Sequence, residues 1–239
     1  MTAALLTSLI AAAISAGALV LVASRAEWTQ RHAGLFAAFA SGALIILSLF
    51  HLAPEAMEKS PRAFFFILGG IALGFLLQTV LGAAAGARRR VLTLGVIPAI
   101  GIAIHSFVDG GVYAITFQAD LVTGVLTALG LMVHEFPEGI IVFVLLTRAG
   151  MAARPAFWLS LFAASLTTPL GVLTIAPFVE GMGTVALAEM LGLSAGLLFY
   201  VGAINLAPSL KTKPLRRVWA ALAAGGAMAI AITLAHAQV

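Results

Sequence analysis

The chain contains no cysteine, so it can build neither disulfides nor thiolate metal sites. Charge is also scarce: Asp, Glu, Lys and Arg make up 9% of its 239 residues, against about 25% in soluble domains. No polar connection is long enough to hold a soluble domain, so residues 1–239 are expected to form one transmembrane domain. The basic residues have no aromatic-interleaved face, which sets nucleic acid aside despite a net charge of +4 and a pI near 10.1. The opening stretch MTAALLTSLI has no basic region and no clear cleavage site, so it reads as a first span and not as a removed signal peptide. What is abundant is apolar: 62% of the residues are hydrophobic, and the mean hydropathy is +1.12.

A helix needs about 20 mostly apolar residues to cross a bilayer. Eight segments meet this: 2–23, 33–52, 63–87, 91–117, 121–147, 156–179, 184–206 and 215–236. With the N-terminus outside, the inner connections collect Arg25, Arg31, Arg88, Arg89, Arg90, Arg148, Arg154, Lys211, Lys213, Arg216 and Arg217. Of the 13 basic residues, only Lys59 and Arg62 remain on the outer side. The positive-inside rule then puts both termini outside. Glu58, Asp120 and Glu180 also fall on the outer side, where acidic residues carry little weight.

Glycines punctuate the spans, as in ISAGA, FASGA, ILGGIALG and GLSAGLL, and predict close helix packing through small side chains. Pro54, Pro98, Pro137, Pro169 and Pro208 lie in or at the ends of spans. Each frees the carbonyl four residues earlier, namely Phe50, Leu94, Val133, Ser165 and Ile204. Within lipid such carbonyls are tolerated where protein, water or an ion meets them, so kinked helices around a shared cavity are expected. LFHLAPEA closes the second span and AINLAPSL the seventh, on opposite faces, as an inverted-topology repeat would leave them.

The pattern His-x-x-x-acid occurs three times: His51 with Glu55, His105 with Asp109, and His134 with Glu138. Residues i and i+4 share a helix face, so each pair can present an imidazole nitrogen and a carboxylate oxygen to one point. Two pairs on adjacent helices supply four N/O ligands, a first shell suited to Zn2+. The bland alternative is a buried hydrogen-bonded network. Against it, each mid-span carboxylate costs about 2.5–3.5 kcal/mol, and no Lys or Arg lies between Arg90 and Arg148 to neutralise Asp109, Glu135 and Glu138. HLAPE sits at a span end, where a solvated turn and a metal-entry site are both open readings. Glu189 reads as a solvated end residue. Ser106 and Glu135 follow the two central histidines directly and point to the flank of the site.

With HLAPE closing the second span, HSFVDG in the fourth and HEFPEG in the fifth, the chain resembles the ZIP (Zrt-, Irt-like) family of divalent metal transporters along essentially its whole length. The resemblance implies an all-α bundle of eight transmembrane helices arranged as an inverted 3+2+3 repeat. It implies a primary transport site of His105, Asp109, His134 and Glu138, with His51 and Glu55 gathering the ion outside. The family's usual Asn after the first His is Ser106 here, and the glutamate expected before Pro-Leu-Gly is Thr168. That leaves Glu135 and Ser106 as a weak second site. Leu44 stands where some relatives carry Met, and the loop after the third span, GAAAGARRR, lacks the histidines often found there.

The implied mechanism is alternating access, with spans 1, 4, 5 and 6 moving against spans 2, 3, 7 and 8. The expected substrate is a divalent cation, Zn2+ first, with Fe2+, Mn2+, Cd2+ and Co2+ open, and no resident cofactor is expected. The bilayer of a prokaryotic inner membrane is the expected surrounding, and the small-residue faces leave a homodimer open. Two rival readings stand beside this one. HEFPE resembles the H-E-x-x-H of intramembrane metalloproteases, but Glu138 replaces the second His. A proton-coupled carrier of a non-metal solute could use the same carboxylates, although three His-x-x-x-acid copies favour metal.

Overall fold

The computed structural model describes residues 1–84, 86, 89–119, 121–206 and 214–236. Arg88, Asp120, Pro208, Lys211 and Lys213 lie outside these, as do the side chains of Arg89, His134, Glu180 and His236. Among the described residues every regular element is helical. In chain order the α-helices are α1 (Thr2–Ala23), α2 (Ala26–Arg31), α3 (Ala33–Leu47), α4 (Ala53–Lys59), α5 (Ala63–Ala84) and α6 (Arg89–Val91). They continue as α7 (Ile97–Ala119), α8 (Leu121–Ala149), α9 (Ala153–Leu161), α10 (Thr167–Ile175), α11 (Val179–Tyr200) and α12 (Leu215–His236).

Among the described residues, six stretches are long and apolar enough to cross a membrane: Thr2–Ala23, Ala33–Lys59, Ala63–Ala83, Leu92–Gln118, Ala153–Phe178 and Thr184–Asn205. In lipid a backbone must satisfy its own polar groups, and a helix does this within one segment. Hydroxyls are handled locally too. Ser48, Thr116, Thr147, Ser160 and Thr167 each donate to the carbonyl four residues back.

Among the described residues four helices widen by one π-turn, at Ser48–Leu52, Leu92–Val96, Phe162–Leu166 and Val201–Asn205. Three of these turns contain a carbonyl left over by a proline four residues on, Phe50, Leu94 and Ser165, while the fourth precedes Pro208, which lies outside the described residues. A proline removes one donor and its ring pushes on the preceding turn, and a wider turn relieves both. Pro54 therefore does not end the second span, which runs on through α4 to Lys59. Pro137 is the exception, because α8 is α-helical on both sides of it.

Helix packing repeats in equivalent pairs. α3 lies along α12 as α5 lies along α11, and α1 lies along α8 as α10 lies along α7. The closest approaches match residue by residue. A Cβ on Gly42 would stand 2.0 Å from the Leu222 carbonyl oxygen, and one on Gly196 would stand 1.9 Å from that of Ile67. Likewise, a Cβ on Gly225 would meet Phe39 O at 2.0 Å and one on Gly70 would meet Leu193 O at 2.1 Å. Gly42 precedes His51 by nine residues, as Gly196 precedes Asn205. The two Leu-Ala-Pro stretches singled out in the sequence thus share a register with the packing. In the centre, Gly110 backs onto Thr168 O (2.3 Å) and Gly139 onto Ser15 O (2.9 Å) for a Cβ at each. The two glycines follow His105 and His134 by the same five residues. These contacts draw α7 against α10 and α8 against α1, and α7 and α8 pack on each other.

Candidate metal centre

α7 carries His105 and Asp109 one turn apart, and α8 carries Glu138 across from them. All three are essentially buried, at 1%, 1% and 5% exposure. His105 Nε2 lies 3.4 Å from Asp109 Oδ2 and 3.5 Å from Glu138 Oε1. One ligand atom from each residue falls within 4.8 Å of the other two. Ligands of a tetrahedral ion held at about 2.0 Å stand roughly 3.3 Å apart, so the imidazole-to-carboxylate spacings suit a shared divalent cation.

The surrounding residues hold the pieces in place. Ser194 Oγ on α11 sits 3.3 Å from His105 Nδ1, which leaves Nε2 facing the carboxylates. Ser106 Oγ is 2.9 Å from Glu138 Oε2 and equally 2.9 Å from Ile102 O. A hydroxyl has one proton to share between those acceptors.

His134 belongs to α8 one turn before Glu138, but its side chain lies outside the described residues. Glu135 is completely buried, yet the described cluster of ligand atoms comprises His105, Asp109 and Glu138 without it. Thr168 is buried in α10 against Gly110, and its hydroxyl has no hydrogen-bond partner among the described residues.

The His51–Glu55 pair is also assembled. His51 Nε2 lies 4.0 Å from Glu55 Oε2, and Lys59 Nζ lies 2.5 Å from Glu55 Oε1. A cavity of about 240 Å³ is lined by His51, Glu55, Lys59, Thr116, Thr123, Thr127 and Asp109. One space therefore joins His51 and Glu55 to Asp109 of the buried cluster. Glu189 departs from the solvated residue expected: its side chain is 19% exposed and pairs with Arg62 at 3.2 Å.

Ser194, Thr116, Thr123, Thr127 and Tyr113 escaped sequence reasoning. Ser194 and the lining threonines look like ordinary span residues, since serine and threonine recur throughout the apolar runs. Tyr113 offered more of a signal. It continues the His105–Asp109 face by one further turn, is fully buried, and lies within electrostatic reach of Glu135, Asp109 and Glu138. Its hydroxyl has no hydrogen-bond partner among the described residues.

Compared with known families, residues 84–233 match the model described as ZIP Zinc transporter. That stretch is more than half of the chain and includes α7 to α11 with all three clustered residues. No curated protein matches the chain.

Proposed function

Since the chain belongs to the ZIP family of metal transporters, we propose that it carries Zn2+ or a similar divalent transition-metal ion inward through a mid-membrane site on α7 and α8. Family members are transporters and not enzymes, and the membrane-capable helices make this one an integral membrane protein. The observation that carries the site is the buried His105–Asp109–Glu138 cluster. Its carboxylates lie in a stretch with no Lys or Arg between Arg90 and Arg148, where a cation is the natural neutraliser. His134 completes the ligand set as the fourth donor, and Glu135 and Ser106 flank it.

In this reading α8 and α12 join the six membrane-capable helices, giving eight spans with both termini outside and the arginine-rich connections inside. The paired glycine contacts support an inverted repeat of three helices on each side of α7 and α8. The ion enters past His51 and Glu55 and reaches Asp109 through the shared cavity. α1, α7, α8 and α10 pack on one another, and this bundle moves against the rest to open the site inward. The host membrane is the inner membrane of a prokaryote.

The test is Zn2+ entry into proteoliposomes loaded with a fluorescent chelator. Native vesicles fill, and His105→Ala and Glu138→Gln vesicles lose at least nine-tenths of the rate. Equal filling by all three would overturn the transport site.

A further inference from the structure

We propose that a groove between α2, α3, α8 and α12 is a binding site for one anionic phospholipid, with its acyl chain in the groove and its phosphate on Arg25 and Arg31. The groove has a volume of about 450 Å³, and Phe36, Phe39, Phe136, Pro137 and Ile140 are among the apolar residues lining it. A second pocket of about 510 Å³ adjoins it, lined by Arg25, Glu27, Arg31 and Ser24. Trp28 lines both. Its ring lies 4.6 Å from that of His32 and meets Phe36 edge-on at 5.9 Å, so it forms the sill between the two. A space that is apolar at one end and ionic at the other, with a tryptophan at the junction, has the shape of an interfacial amphiphile.

Charge chooses the headgroup. Two arginines face one glutamate, and Glu27 meets Arg31 only at 3.8 Å, with both side chains well exposed at 93% and 77%. A solvated pair of this kind contributes little, so Arg31 can turn to a phosphate without a large cost. Basic pockets at the end of membrane helices favour anionic lipid for the same reason.

A contrast within the molecule sharpens the choice. The equivalent groove, about 300 Å³ and lined by Phe107, Met190 and Leu193, belongs to the other half of the repeat. The stretch that corresponds to α2 there, residues 178–184 at the start of α11, contains no Lys or Arg. Apolar grooves occur in both halves, whereas the arginines occur in one. The occupied wall includes Phe136, Pro137 and Ile140, which flank Glu138 on α8. A lipid seated there touches the helix that carries a proposed metal ligand, yet the site stands whether or not the chain carries metal.

Two measurements test the site. In native mass spectrometry, the chain should retain phosphatidylglycerol over phosphatidylcholine of the same chains, saturating at one lipid per chain. In a Trp158→Phe/Trp219→Phe background, Trp28 is the sole tryptophan. There, acyl-brominated phosphatidylglycerol should quench it at a several-fold lower mole fraction than the brominated choline lipid. Arg25→Gln/Arg31→Gln should abolish the preference, and Arg25→Lys/Arg31→Lys should keep most of it. Equal retention of the two lipids, retention that rises without saturating, or a preference that survives the glutamine pair would each overturn the proposal. The lipid comparison on the unsubstituted chain decides the matter even if the glutamine variant does not fold. Because neither readout uses transport, a chain that binds the lipid but carries no Zn2+ would refute the transport reading and leave this site standing.

Discussion

Ser106 Oγ stands 2.9 Å from Glu138 Oε2, on the far side of the carboxylate from the oxygen that faces His105. The hydroxyl can also turn to Ile102 O, at the same distance. An ionised carboxylate is the stronger acceptor, so the proton goes to Glu138 when the site is charged. Removing the hydroxyl takes away one of the contacts that keep Glu138 in register with His105. Outer-shell partners of metal ligands are worth about 10–100-fold in affinity. Ser106→Ala should therefore raise the KM for Zn2+ uptake by about tenfold and change kcat far less. An unchanged KM would mean that packing alone holds Glu138.

The same reasoning applies to Ser194, whose hydroxyl sits 3.3 Å from His105 Nδ1. Ser194→Ala removes one contact that orients the imidazole and favours one tautomer. Zn2+ affinity, read by calorimetry on the purified protein, should fall several-fold, toward the lower end of the roughly 10–100-fold range for such partners. Helix content should be unchanged by circular dichroism. Native affinity in this variant would leave Ser194 a packing residue.

How far the sequence led can be judged at these residues. His105 and Asp109 were legible as a pair because one helix turn alone sets their spacing, and the observed 3.4 Å follows from it. The partnership of His105 with Glu138 was not legible from spacing. It depends on how closely α7 and α8 are drawn to α10 and α1, which Gly110 and Gly139 determine through backbone contacts with Thr168 and Ser15. The end of the second span was placed too early. Proline reads as a stop, but a π-turn at Ser48–Leu52 absorbs Pro54, and the helix runs on to Lys59. Glu189 was read as solvated because its partner, Arg62, lies in a distant connection that no local pattern links to it.

Lys59 gives a prediction about entry. Its ammonium lies 2.5 Å from Glu55 Oε1, while His51 faces the other carboxylate oxygen at 4.0 Å. An arriving metal ion has to displace that tethered charge before it can use Glu55 together with His51. Lys59→Met should lower the KM for Zn2+ uptake by a few-fold and leave kcat near native, and Lys59→Arg should behave as native. A KM that rises in Lys59→Met would show that the lysine positions Glu55 for the ion instead of competing with it.

The paired glycine contacts turn the repeat into a stability test. A Cβ at Gly42 would fall 2.0 Å from Leu222 O and one at Gly196 would fall 1.9 Å from Ile67 O, and both obstacles are backbone that no rotamer change can remove. Each alanine must push two helices apart. Overpacking of this kind costs about 1–3 kcal/mol, and for a chain of this size each kcal/mol lowers Tm by roughly 2–4 °C. Gly42→Ala and Gly196→Ala should therefore destabilise by similar amounts, since they disturb equivalent helix pairs. Gly17 has nothing within 4 Å of its would-be Cβ, and α1 is helical there, so Gly17→Ala should hold Tm or raise it slightly. Thermal scans of the three variants in one detergent measure the difference directly. If Gly42→Ala and Gly196→Ala differed widely in Tm, the two halves would share a contact pattern but not its energetics, and the repeat would be one of chain path alone.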